Sequence, residues 1–117
     1  MFRTIDIGKE KVDLLANAAT NIYFKQTFHE DLLEQFSKSK KDVFIATDKV
    51  PELAYIMATQ AKGSTKPKDF SYEAYLAWLN QFEALDIYYA SGEIFDVYMG
   101  TNETDSEAKK NEDKQKE

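Results

Sequence analysis

Residues 20–36, TNIYFKQTFHEDLLEQF, carry the clearest alternation of apolar and polar positions in the chain. Phe24, Phe28, Leu32 and Phe36 step by four, and Ile22 and Leu33 fall on the same broad side of a helix of 3.6 residues per turn. Lys25, Gln26, Glu30, Glu34 and Gln35 mostly take the other side. Thr20 or Asn21 suits the N-cap, where a side-chain oxygen accepts from an orphan backbone N–H. His29-Glu30-Asp31 forms a polar step, which leaves one bent helix or two short ones. The segment holds three of the eight Phe, so it is expected to be core and to be the hub on which the other elements pack.

The pattern before this segment has a period of two. Ile5 and Ile7 share one face and Val12 and Leu14 another, with a short connection at Gly8. Residues 2–16 are therefore read as a β-hairpin. An isolated hairpin is marginal in water, so it lies as a lid on the helices or adds to a sheet edge in a partner. Residues 16–19 form a small-residue link, and 37–42, SKSKKD, a polar loop. Residues 43–46 are a short apolar patch, either a strand fragment or an early turn of the next helix.

That helix is expected over 48–62. Pro51 suits its first turn, and Val50, Leu53, Ala54, Met57 and Ala61 recur at helical spacing. Gly63 is a stop, and 64–69, STKPKD, a loop. Ser71 caps a helix over 72–82 with Tyr72, Tyr75, Leu76 and Leu79 as one stripe, widened by Trp78 and Phe82. Asp86 caps a last helix to Met99, with Ile87, Ala90, Ile94 and Tyr98 on one face and Gly100 as its end. Gly92 weakens it by about 1 kcal/mol relative to Ala and marks a kink or a close contact. Residues 101–117 hold six acids, four Lys and no large apolar residue. Such a stretch buries too little to offset its ordering entropy, so disorder is expected, with 106–116 as a fraying helix at most. The prediction is a mainly α (α+β) fold: an N-terminal β-hairpin packed on four to five helices in one domain, 1–100, and a flexible charged tail, 101–117.

Composition then narrows the function. The chain has 117 residues, 43% of them apolar and 31% charged, a formal net charge of −6 and no Cys. Acidity without a basic patch argues against nucleic acid, which needs clustered Lys and Arg. The missing Cys excludes disulfides and thiolate chemistry. No apolar run is long enough to span a bilayer, and the charges in MFRTIDIGKEKVD stand where a signal peptide needs its apolar centre, so a soluble intracellular protein is expected. His29 beside Glu30 and Asp31 has the chemistry of a base or a metal ligand, but no second His, Cys or spaced carboxylate set supports it. None of the four Gly lies in a phosphate-binding pattern and no Ser in a GxSxG setting. Asp86, Glu93 and Asp96 read as a solvated helix flank. No enzyme, cofactor or metal site is expected.

What stands out is aromatic surplus: seven Tyr, eight Phe and one Trp. Tyr88 and Tyr89 are adjacent and cannot both point into one core. Tyr72, Tyr75 and Trp78 crowd one helix start. Tyr and Trp are favoured at interfaces, so these five and Met99 are the candidate partner-binding residues, set against half-buried Tyr with wet hydroxyls.

Several segments resemble the tail assembly chaperones of long-tailed phages and prophages of Gram-positive bacteria. MFRTIDIGKEKVDLLANAAT is similar to the family's opening, a strand pair ending in an Ala-Asn-Ala turn. NIYFKQTFHEDLL resembles its I-x-Y-K-Q-x-F-x-x-D-L-L helix, with Asn21 where Pro is common and His29 where Gly is common. ELAYIMATQAKG resembles its L-A-Y-I-M-x-x-Q-A-K-G helix, YLAWLNQFEALDI and EIFDVYMG its final pair, and SEAKK at 106–110 also fits. The resemblance covers most of residues 1–110. It implies a protein of the infected or lysogenic host cytoplasm, absent from the mature virion, that binds the tape measure protein and helps recruit tail tube protein. It also implies a longer product made by programmed frameshifting, for which Lys109-Lys110-Asn111 is a candidate site. Self-association is a further possible partnership. The alternatives are a structural tail or neck protein, or a small acidic protein-binding regulator.

Overall fold

A computed structural model describes residues 1–38, 40 and 47–100. The expectations for 43–46 and for 101–117, including its disorder, the 106–110 match and the frameshift site, lie outside the described residues.

The chain opens with β1 (Phe2–Ile7) and β2 (Glu10–Leu15), an antiparallel pair in which Ile5 faces Val12. Alternation decides its two faces. Ile5, Ile7, Val12 and Leu14 are buried, while outward-facing Lys11 pairs with Asp6 at 2.7 Å and Thr4 Oγ1 donates to Asp13 Oδ1 at 2.6 Å. Gly8-Lys9 makes a two-residue connection, and φ is positive only at Gly8, +61°. Gly leads there because a side chain is strained at that angle. A Cβ at Gly8 would also overlap the Asp86 carboxylate. The hairpin is thus a lid on the helices.

The helices described are α1 (Ala19–Phe28), α2 (Leu32–Lys38), α3 (Lys49–Ala61), α4 (Tyr72–Leu79), α5 (Asp86–Tyr89) and α6 (Ser91–Met99). A 3-10 turn, Pro67–Asp69, precedes α4. The mainly helical fold with a leading hairpin is as expected. Two of the anticipated helices are each divided, which brings the described number to six.

The hub is not where the sequence pattern places it. Every residue of α3 from Val50 to Gln60 is buried, and β2, α1, α4, α5 and α6 all pack against it. The reason lies in PELAYIMATQA, where small and apolar residues occupy every side of the helix. A helix apolar all round belongs in a core, whereas one stripe belongs at its margin. Residues 20–36 are such a margin. Phe24 and Leu32 are fully buried and Phe28 and Phe36 partly so, but Ile22 and Leu33 are exposed.

The break in that segment falls at His29, which ends α1 with φ +61°. Left-handed backbone is costly for a residue with a Cβ, and Gly is the usual occupant. α2 then starts at Leu32, which is buried, while Leu33 beside it is exposed. The N-cap also differs from the expectation. Asn17 Oδ1 accepts from Ala19 N–H at 2.9 Å, and Thr20, buried inside α1, accepts from Asn17 N–H at 3.0 Å. Thr20 Oγ1 donates to Gln60 Oε1 at 2.8 Å and Gln60 Nε2 to Asn17 Oδ1 at 3.0 Å. This closed network fastens the end of the hairpin to the hub.

Ser71 caps α4 as expected, its hydroxyl accepting from Ala74 N–H at 3.1 Å. Tyr55 of α3 holds that start in place: its hydroxyl donates to the Asp69 carbonyl and accepts from Ser71 N–H. The last helix divides at Ala90, whose φ −94° and ψ 3° leave the helical range, rather than at Gly92. Ile87, Ala90 and Ile94 face the core and Gly100 ends α6, as the pattern indicates.

Candidate protein-binding surface

The six candidate side chains fall in three places. Tyr72, 57% exposed, and Tyr75, 6% exposed, both lie on α4 within an aromatic cluster. Its rings meet edge to face or tilted: Phe28 to Tyr75 at 5.1 Å, Tyr55 to Tyr75 at 5.4 Å and Tyr72 to Tyr75 at 5.7 Å. Tyr75 is therefore core, and only its edge reaches a surface. Trp78 is half-buried, 4.9 Å from Phe82, and lines a cavity of about 570 Å³ of mixed polar and apolar lining with Thr59, Lys62 and Asp69. Met99 sits apart, in a groove of about 300 Å³ with Leu33, Phe36 and Val97.

Tyr88 and Tyr89 behave as their adjacency requires. Tyr88 is 40% exposed and lines a groove of about 260 Å³ with Pro51, Tyr75, Leu79, Phe82 and Ile87. Tyr89 is 81% exposed and stands free of the body. One groove thus brings Tyr75 and Tyr88 together. Next in sequence to its lining residues Tyr75 and Ala84 are two exposed apolar side chains that the sequence pattern does not single out for binding: Leu76 on α4 and Leu85 just before α5. The stripe over 72–82 puts Leu76 inside, but α4 turns it outward with Tyr72, one turn before it. For Leu85 the available signal is the break in helical pattern at 83–85, which leaves a large apolar residue with no helix face to join.

A charged cluster lies beneath this region. Lys49 forms ion pairs with Glu30, Asp48 and Glu52. Glu52 is buried and its Oε1 has no hydrogen-bond partner. Burial pushes its carboxyl up to about 7, against the opposing charge of Lys49, while Asp48 and Glu30 push the same way as burial. Burial acts to lower the Lys49 ammonium, but its bond to Glu30 and the charges of Glu52 and Asp48 outweigh that and hold it above its usual value. The Tyr75 hydroxyl is raised by burial first and then by the charge of Glu52, so it stays neutral. Nothing in the helical pattern of 48–62 marks Glu52 as buried, because an acid in a first helical turn is ordinarily exposed.

His29 is exposed and serves as a helix cap. Among the described residues, no group of three or more His, Cys, Asp or Glu is placed to hold a metal ion. Nor, among them, is any helix long and apolar enough to cross a membrane. No family, curated protein or solved structure matches the chain.

Proposed function

We propose that this chain is a tail assembly chaperone of a long-tailed phage or prophage. In this reading it binds the tape measure protein in the host cytoplasm, shields that protein's apolar helices from aggregation and helps to recruit tail tube subunits. It does so by offering surface rather than by making bonds. The observation that carries the reading is the run of exposed apolar side chains over residues 72–89: Tyr72, Leu76, Leu85, Tyr88 and Tyr89, each at least 40% exposed. Soluble monomers seldom leave such side chains grouped unless a partner covers them. The quoted family segments supply the identity of the partner; their strand pair falls on β1 and β2 and ELAYIMATQAKG on α3, whereas NIYFKQTFHEDLL is divided between α1 and α2 and the final pair is spread over α4, α5 and α6.

The binding mode is a client helix laid on the outer side of α4 and α5, with its apolar side chains against these rings. Replacing Tyr88 and Tyr89 together by Ser removes two exposed anchors without touching the core. Capture of co-expressed tape measure protein should fall roughly tenfold, since interfacial Tyr commonly contribute more than 1 kcal/mol each. The thermal midpoint should stay near that of the wild type. Undiminished capture would count against the reading. Mass spectrometry of purified particles is the companion test, since a chaperone leaves the assembled tail and a structural tail or neck protein stays.

A further inference from the structure

From Asp69 to Gly100 the chain carries six acids, Asp69, Glu73, Glu83, Asp86, Glu93 and Asp96, and neither Lys nor Arg. Its 15 Lys and Arg all lie elsewhere. More than half of its aromatic residues lie inside this stretch, which forms α4, α5 and α6. This stretch therefore joins acids, of which Asp96 is buried, to exposed rings.

Several of these acids are already engaged. Glu93 pairs with Arg3 at 3.1 Å, and Asp86 Oδ2 accepts from the Glu83 N–H at 2.9 Å. Glu73 and Glu83 are exposed and have no ion pair among the described residues. Glu83 lines the groove holding Tyr75, Leu79, Phe82 and Tyr88. Glu73 follows Tyr72 at the start of α4, so the two acids stand toward either end of the apolar strip formed by Tyr72, Leu76 and the groove.

We infer that the α4–α5 surface takes a basic amphipathic helix, its apolar stripe on Tyr72, Leu76, Leu85 and Tyr88 and its Lys or Arg side chains at Glu73 and Glu83. This rests on the reading of the chain as a protein-binding chaperone and specifies the chemistry of the segment bound. The strip suits a helix because Tyr72 and Leu76 are spaced one helical turn apart, the interval at which apolar anchors recur on a partner helix. The charge decides the sign of the partner. An acidic segment, nucleic acid or an anionic membrane meets like charge here, whereas a cation is steered in and finds the faces of Tyr88 and Tyr89 as well as the carboxylates. Residues 101–117 are an unsuitable occupant, since they contain no large apolar side chain to fill the groove.

Fluorescence anisotropy with defined peptides tests this on the full chain. Three labelled helical peptides are compared at physiological salt: a leucine stripe flanked by Lys, the same stripe flanked by Glu, and the Lys peptide with its leucines scattered off one face. The Lys-flanked stripe should bind roughly tenfold more tightly than either other peptide, because affinity needs both the anchors and the charge. Glu73→Gln with Glu83→Gln should weaken it by about threefold to tenfold and flatten its salt dependence. Leu85→Ser with Tyr89→Ser should weaken it by roughly tenfold or more. Equal binding of the Glu peptide would overturn the assignment of charge, and equal binding of the scattered peptide would reduce the effect to bulk attraction. Unaltered binding to both double variants would place the site elsewhere. A dimer of the free chain dispersed by Leu85→Ser with Tyr89→Ser would make a second copy the occupant. Capture of tape measure protein is measured separately, so that reading and this one fall independently.

Discussion

At the residue scale, His29 and Glu52 are the two side chains whose positions conflict with their own chemistry. His29 holds φ +61°, where Gly has no Cβ to strain. His29→Gly relieves that strain but frees the unfolded chain, so the net effect is a gain of up to about 1 kcal/mol in urea unfolding. A loss would show that the imidazole contributes more than the backbone costs. Glu52 is buried with its carboxyl raised to about 7 from 4.5. The folded protein therefore holds a proton that the unfolded chain releases between those values, so this group's contribution to stability is complete below about 4.5 and lost as pH rises through about 7. Glu52→Gln removes the titration. Its stability relative to the wild type should rise between pH 5 and 8 by on the order of 2 kcal/mol, since each tenfold change in proton affinity is worth about 1.4 kcal/mol. A constant difference between the two proteins across that range would mean that Lys49 keeps Glu52 ionised throughout. Neither residue is legible in the sequence beyond its type. His29 stands out only as a polar step where the resembled family often has Gly, and Glu52 looks like an ordinary acid in a first helical turn.

At the scale of elements, short-range patterns are legible in the sequence and the relations between elements less so. The hairpin, the start of α4 at Ser71 and the ends at Gly63 and Gly100 follow from alternation, capping and turn chemistry within a few residues. The choice of hub does not. Residues 20–36 carry the strongest stripe, but a stripe describes a helix with one wet side; α3 is central because it has no wet side between Val50 and Gln60. Breaks are located only approximately. The polar step at 29–31 predicts a bend or a division, while Ala90 gives no signal, and its departure from helix is set by how α5 and α6 both reach the core. The link between the hairpin and the hub is likewise hidden, because Asn17, Thr20 and Gln60 meet only when α1 packs on α3. Thr20→Val keeps the shape but leaves the Asn17 N–H and the Gln60 carbonyl oxygen without their partner. It should cost about 1–3 kcal/mol in denaturant unfolding, the desolvation cost of buried unpaired groups. A cost below about 0.5 kcal/mol would mean that water replaces the hydroxyl.

At the scale of the whole molecule, the hairpin presents polar pairs outward and the α4–α5 side presents rings and acids. The sequence shows an aromatic surplus and places Tyr88 and Tyr89 at the surface by their adjacency, but it groups Tyr75 with them, and packing against Phe28 and Tyr55 makes that ring core. It also puts Leu76 in the buried stripe, although exposure depends on which side of α4 meets α3. What emerges is a division of labour. α3 is buried from Val50 to Gln60, and the short helices at its edge keep large apolar side chains in water, a cost that a client helix would relieve in the function proposed above. The most direct test is hydrogen exchange of the chain alone and in complex with co-expressed tape measure protein. The account predicts added protection concentrated over residues 72–89, with the β1–β2 hairpin unchanged. A complex whose added protection falls on the hairpin and spares 72–89, or the failure of any complex to form, would contradict it.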